Sequence, residues 1–119
     1  MYRIRHFVSV RGEDHVDAFT GSLPKRIQGK ILGRIGYLAC YGPRAKPPYV
    51  KFLRDKIYEL RLSFGNLEIR YLYFYDGDNI VLTHGFLKKT DAVPEREIER
   101  AINMRTEDFG PDRTKEGAL

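Results

Sequence analysis

Along residues 2–10, Tyr2, Ile4, His6, Val8 and Val10 fall on one side and Arg3, Arg5, Phe7 and Ser9 on the other, the period-two pattern of a half-buried strand. The period then changes. Glu13-Asp14 open a short helix with Val16 and Phe19 three apart, stopped at Gly21. Ser22 offers an N-cap, and Pro24 a first-turn residue, for a longer helix over about 23–41 whose Ile27, Ile31, Ile35 and Leu38 share one face, ending at Gly42-Pro43. Together the two helices are expected to form an α-hairpin. Gly29, Gly33 and Gly36 would each cost roughly 0.5–1 kcal/mol inside such a helix, so a close backbone contact is expected to offset them.

The prolines of Gly42-Pro43-Arg44-Ala45-Lys46-Pro47-Pro48-Tyr49 predict an extended, basic connector. Three strands follow, at about 56–64, 67–75 and 79–87, separated by the turn dipeptides Gly65-Asn66 and Asp76-Gly77. Pro94 suits the first turn of a last helix over about 94–107, on which Ile98, Ala101, Ile102 and Arg105 share a face and Glu95 and Glu97 complement the N-terminal dipole. The expected class is α+β: an N-terminal α-hairpin packed on a small antiparallel sheet, with a C-terminal helix. A single domain over 1–109 is expected, with a disordered tail at 110–119.

Composition narrows the function. With 42% hydrophobic residues, 13% aromatics and 119 residues, the chain can bury a core of its own, which excludes global disorder. The apolar runs are far shorter than the roughly 18 residues a membrane span needs, and the charged N-terminus does not read as a signal peptide. One cysteine, Cys40, and three scattered histidines give neither an intramolecular disulfide nor zinc spacing, so the expectation is a cytoplasmic protein that uses no metal and no cofactor. Net charge is +5, concentrated in residues 1–70, while 94–108 is acidic. This distribution favours a phosphate-bearing partner.

A two-residue loop at Gly65-Asn66 fixes the register of its hairpin. Phe64, Leu62, Leu60 and Tyr58 then oppose Leu67, Ile69, Tyr71 and Tyr73 on an apolar face suited to covering by helices. The other face sets Ser63 across from Glu68 and Arg61 across from Arg70, with Glu59 one diagonal step from Arg70. Opposed like charges are unfavourable in a sheet, so fold stability gives no reason to choose them. Two readings stand: a network in which Glu59 and Glu68 neutralise both arginines, or an anion site in which two guanidinium forks meet a phosphate. The next strand runs into His84-Gly85-Phe86-Leu87-Lys88-Lys89-Thr90. A two- or four-residue loop before it puts Thr83 and Gly85 on the Arg70 face, whereas a bulged three-residue loop puts His84 there.

Ser22-Leu23-Pro24, Lys51-Phe52-Leu53, Ile57-Tyr58-Glu59-Leu60-Arg61, Ile69-Arg70-Tyr71, His84 to Thr90 and Pro94-Glu95-Arg96-Glu97-Ile98 carry, in this order and at these spacings, a resemblance. Over about residues 13–108 the chain resembles the phage-derived HigB-like branch of the RelE/ParE toxin superfamily. The resemblance implies the toxin of a type II toxin–antitoxin pair, cleaving messenger RNA on the ribosome. Its partners would be a cognate antitoxin, expected as a helix-turn-helix DNA-binding protein from the adjacent gene, together with ribosome and mRNA. Carried over by position, the working basic groups fall on Arg61, Arg70 and Lys88. Two departures stand out: Glu59 occupies the place of a lysine that serves relatives as general base, and no tyrosine follows Lys89 where some relatives use one.

Metal-free RNA cleavage must take the ribose 2′-hydroxyl proton, protonate the leaving 5′-oxygen and stabilise a phosphorane. Arg61 and Arg70 are the candidates for the phosphorane, Glu59 or His84 for the base, and Lys88 for the acid or for electrostatic support. Arg44, Lys46, Lys51, Lys56 and Lys89, from the connector and strand ends, are the candidate RNA contacts. The alternatives are a ParE-like toxin that binds DNA gyrase without cutting RNA, and a non-toxic phage-derived nucleic-acid-binding module, for which Tyr71, Tyr73 and Phe74 supply aromatic surface.

Overall fold

The computed structural model describes residues 1–115. The chain runs β1 (Arg3–His6), α1 (His15–Gly21), α2 (Lys25–Tyr41), β2 (Val50–Arg54), β3 (Ile57–Phe64), β4 (Leu67–Asp76), β5 (Asn79–Leu87) and α3 (Glu95–Lys115). The five strands form one sheet in the order β1-β5-β4-β3-β2. The β3–β4 register is the expected one throughout, from Phe64 opposite Leu67 to Tyr58 opposite Tyr73, with Gly65 in the left-handed conformation (φ 58°) that the tight loop needs. The α+β class holds, but two features of the expected arrangement do not.

First, the sheet is mixed, because β1 lies parallel to β5 at the edge. A strand therefore comes first, and Phe7 just after it is fully buried in the core. Arg5 fixes this strand with a fork onto Asp108 of α3 (2.9 and 2.8 Å) and a contact to Asp76 at the end of β4 (3.3 Å). Second, the two helices follow that strand instead of opening the fold; both lie on one face of the sheet, α1 on β5 and α2 on β3 and β1. Ser22 ends α1, its hydroxyl donating to the Phe19 carbonyl, and Pro24 holds the N-cap position of α2. Ile27, Ile31 and Leu38 are buried as expected. Gly29, Gly33 and Gly36 instead face open space, and no close contact offsets their cost.

The connector is not wholly extended: Gly42–Arg44 form a single 3-10 turn. Beyond it β2, absent from the sequence reading, pairs antiparallel with β3 at the other edge of the sheet. The β2–β3 loop is Asp55-Lys56, both residues left-handed (φ 52° and 60°) with no glycine to announce the turn. Helix α3 keeps its axis until Gly110 (φ 80°), where the expected tail begins; helix resumes to Lys115, and residues 116–119 lie outside the described residues.

The sheet divides the interior in two. On one face α1 and α2 cover Leu60, Leu62, Ile69, Tyr71, Tyr73, Ile80 and Leu82. At Gly85 a Cβ would come within 2.5 Å of the Phe19 ring and 2.7 Å of Tyr71, so only glycine lets α1 sit this close to β5. On the other face Ile98, Ala101 and Met104 of α3 cover Ile57, Leu72, Phe74, Val81 and Phe7. Helix α3 covers only part of that face. Among the described residues no helix is long and apolar enough to cross a membrane.

Candidate functional site

Where α3 does not reach, the sheet forms the floor of a cleft of about 260 Å³, walled by β2, by the 88–93 segment after β5 and by the first turns of α3. Glu59, Arg61, Lys51 and Lys88 line it. The alternation along each strand brings them together: Lys51 pairs with Glu59 across β2–β3, Arg61 with Arg70 across β3–β4, and the Lys88 amide bonds the Glu68 carbonyl beyond the end of β5.

Glu59 is 2% exposed and lies between two guanidiniums, with Oε1 3.5 Å from Arg61 Nε and Oε2 3.6 Å from Arg70 Nε. Neither distance is a hydrogen bond, and Glu59 Oε2 and Arg70 Nε are both buried without a hydrogen-bond partner. The like charges opposed across the hairpin are thus reconciled by a buried anion set between them. Arg70 lies beneath the floor, also 2% exposed, donating to the Ile69 carbonyl (2.9 Å) and to Glu68 (3.2 Å). The Ser63 hydroxyl, bonded to both oxygens of Glu68, and the contact with Arg70 hold that carboxyl below its usual range. Of the two arginines, only Arg61 offers part of its guanidinium to the cleft; about a third of its side chain is exposed.

His84 is on the Arg70 face, but by a route the loop-length argument did not contain. The β4–β5 loop has two residues, Gly77-Asp78, which alone would turn His84 the other way. An extra residue in β5, Thr83, then shifts the register between Tyr73–Leu82 and Leu72–His84 and reverses the alternation. The ring does not reach the cleft. It is fully buried under α3, Nε2 2.9 Å from Glu97 and Nδ1 3.0 Å from the Thr83 hydroxyl. Burial, reinforced by the Arg100 charge, pushes its pKa down to about 4 against the opposing pull of Glu97, so the imidazole is neutral at pH 7.

Lys51, among the candidate RNA contacts, is on the cleft wall; Lys89 follows Lys88 on the exposed side of the same segment, and Lys56 is in the left-handed β2–β3 turn. Arg44 and Lys46 lie round the β2 edge in a separate hollow with Tyr37 and Tyr41. The sequence reading missed Arg54, which lines the cleft and ties β2 to α3 through Glu95 (2.6 Å) and Glu99 (2.9 Å), with Asp55 also bound to it. Only the presence of β2 could have drawn attention to it. Lys88 Nζ donates to the Asp91 carbonyl (3.0 Å), which stiffens the segment closing the far wall. Among the described residues no group of three or more His, Cys, Asp or Glu side chains is placed to hold a metal ion.

Comparison with solved structures finds the same fold in the crystal structure of the intact E. coli RelBE toxin–antitoxin complex. One chain of that complex superposes with a TM-score of 0.56 at 12% identity, over 76% of this chain and 100% of the other. No curated protein matches the sequence. A family model described as "Phage derived protein Gp49-like" matches residues 18–106, from the middle of α1 into α3 and so across all of the cleft. The chain belongs to this Gp49-like family of phage-derived proteins.

Proposed function

We propose that the protein is the toxin of a type II toxin–antitoxin pair, of the HigB-like kind, and that its cleft cleaves messenger RNA on the ribosome without a metal ion. One observation carries this reading: Arg61, Lys51 and Lys88 line one cleft with a buried carboxylate, Glu59. Three cations in a partly dry hollow suit a phosphodiester, and fixed donors aimed at its developing charge supply the largest stabilisation such a reaction can use. In the proposed step the 2′-oxygen attacks phosphorus and its proton passes to Glu59. The P–O5′ bond breaks, the leaving oxygen takes a proton from the Lys88 side, and a 2′,3′-cyclic phosphate and a 5′-hydroxyl remain. Arg61 holds the phosphorane oxygens. Arg70 acts through Glu59, fixing the carboxylate from below, and is a positioning residue. His84, buried and neutral, packs the strand against α3.

The acidic or apolar partner segment that would silence this surface fits an antitoxin encoded beside the toxin, and both would work in the cytoplasm. Pulse labelling after induction of the chain alone tests the reading. Protein synthesis should fall first and mRNA fragments ending in cyclic phosphate should accumulate on ribosomes. A fall in DNA synthesis that precedes it would instead indicate a gyrase poison.

A further inference from the structure

Between Asp17 and Asp55 the sequence contains eight Lys and Arg and no Asp or Glu. That stretch folds into the end of α1, α2, the 3-10 turn and β2, and of its eight cations Arg54 alone forms ion pairs among the described residues, with acids outside the stretch. Arg44, Lys46 and Lys51 form no ion pair among the described residues. Large rings are exposed in the same stretch: Phe52 is 54% exposed on β2 and Tyr41 is 48% exposed at the end of α2. Neither contributes to either core cluster. Both are nonetheless held in place. Phe52 meets Tyr58 edge-on at 5.2 Å, and Tyr41 leans on Tyr37 at 4.9 Å, with the Arg44 guanidinium 6.0 Å above its ring.

These groups are continuous with the cleft. Lys51 and Phe52 line both the cleft and a shallow apolar hollow on the opposite side of β2, and Pro43 and Ala45 join that hollow to the one holding Tyr41, Arg44 and Lys46. Alternating cations and rings along an acid-free path have the composition of a single-strand nucleic-acid track, in which the bases stack and the phosphates pair. A protein segment covering the same surface is the other outcome of the test below.

We infer that a single-stranded RNA leaving the cleft crosses the β2 edge, stacks one base on Phe52 and a second on Tyr41, and sets the phosphates between them against Arg44 and Lys46. This inference rests on the nuclease reading for the phosphate in the cleft, but Tyr41, Arg44 and Lys46 lie outside the cleft. It makes Phe52 and Tyr41 binding residues that orient the strand and bias which bases flank the cut.

The chain contains no tryptophan, so Phe52→Trp adds a single reporter, and Tyr41→Trp a second should the first perturb folding. The probe is a twelve-nucleotide 2′-O-methyl RNA of mixed sequence, which cannot be cleaved through its 2′-oxygen. Its addition should quench Trp emission at either position. Tyr41→Ala should weaken binding about 5–150-fold, the range for losing one stacked base. Arg44→Ala should reduce the slope of log K against log salt by about 0.7. The inference is overturned if the oligonucleotide fails to bind, or binds with Trp emission and the Tyr41→Ala affinity unchanged. Emission that responds to the adjacent-gene product but not to RNA would assign the surface to a protein and equally overturn it. Because the probe is not cut, loss of the nuclease reading would leave these results standing, and an intact nuclease with an unresponsive reporter would remove this inference alone.

Discussion

The two faces of the sheet are built to different rules. Under α1 and α2 the face is filled by Leu60, Leu62, Ile69 and the stacked Tyr58–Tyr73 pair, and its polar atoms sit at ring edges, as in the bond between Tyr71 and Thr20. Under α3 the same strands carry Glu59, Arg70 and His84 to equal burial; the helix covers His84 but leaves a cleft at Glu59 and Arg61. A face made for stability would not bury a carboxylate oxygen of Glu59 and the Nε of Arg70 side by side without hydrogen bonds; the cost is accepted where charge must be held in place. Stability resides in the closed face, and the proposed chemistry in the uncovered half of the other.

The contrast can be broken at Arg70. Arg70→Ala leaves Glu59 buried beside only one cation, so stability in urea melts should fall by about 3–5 kcal/mol, and combining it with Glu59→Leu should return most of that loss. A register argument alone treats Arg70 as a strand residue facing its like-charged neighbour and expects almost no change. The structure reverses the expectation because Arg70 lies below the floor of the cleft. Arg61→Ala sharpens the contrast from the other side. Ribosome-dependent cleavage should drop by about 10²–10³-fold with the melting transition nearly unmoved, since its guanidinium is partly exposed.

His84 extends the comparison to pH. Its folded pKa, about 4, lies below the unfolded value of about 6.5, so the unfolded chain binds the proton first as pH falls. Its contribution is complete above pH 6.5 and is lost progressively toward pH 4, by about 2–3 kcal/mol in all. Melting curves between pH 7.5 and 4.5 should therefore slope downward more steeply for the wild type than for His84→Gln. The smallest effect is expected at the β2–β3 turn, where Lys56 is left-handed. Lys56→Gly should stabilise by about 0.5–1 kcal/mol and leave cleavage unchanged if Lys56 is no RNA contact.

Legibility followed local signals. The Gly65-Asn66 turn was readable because its residues match the backbone it requires, and the whole β3–β4 register, with Arg61 opposite Arg70, came with it. Strand β2 was hidden because Asp55-Lys56 adopts a left-handed turn without a glycine or asparagine, and the wall of the cleft was hidden with it. Whether Arg70 faces solvent depends on where α3 and the 88–93 segment come to rest, and no spacing along β4 carries that information. The edge strand β1 was visible as a strand, but its parallel partner lies more than 70 residues away in sequence.

The bulge at Thr83 has a consequence for which of two adjacent lysines the cleft receives. Upstream of it, even-numbered residues of β5 such as Ile80 and Leu82 point toward α1 and α2; downstream, even numbers point the other way, which is why Lys88 rather than Lys89 lines the cleft. The inserted residue acts as a phase switch. It lets one continuous strand serve the oily layer first and the charged layer afterwards, without a break in the chain. Straightening the strand with Thr83 kept in it would change no residue and yet change the meaning of those that follow: Gly85 and His84 would exchange sides, and Phe19 would meet an imidazole where it now meets hydrogen.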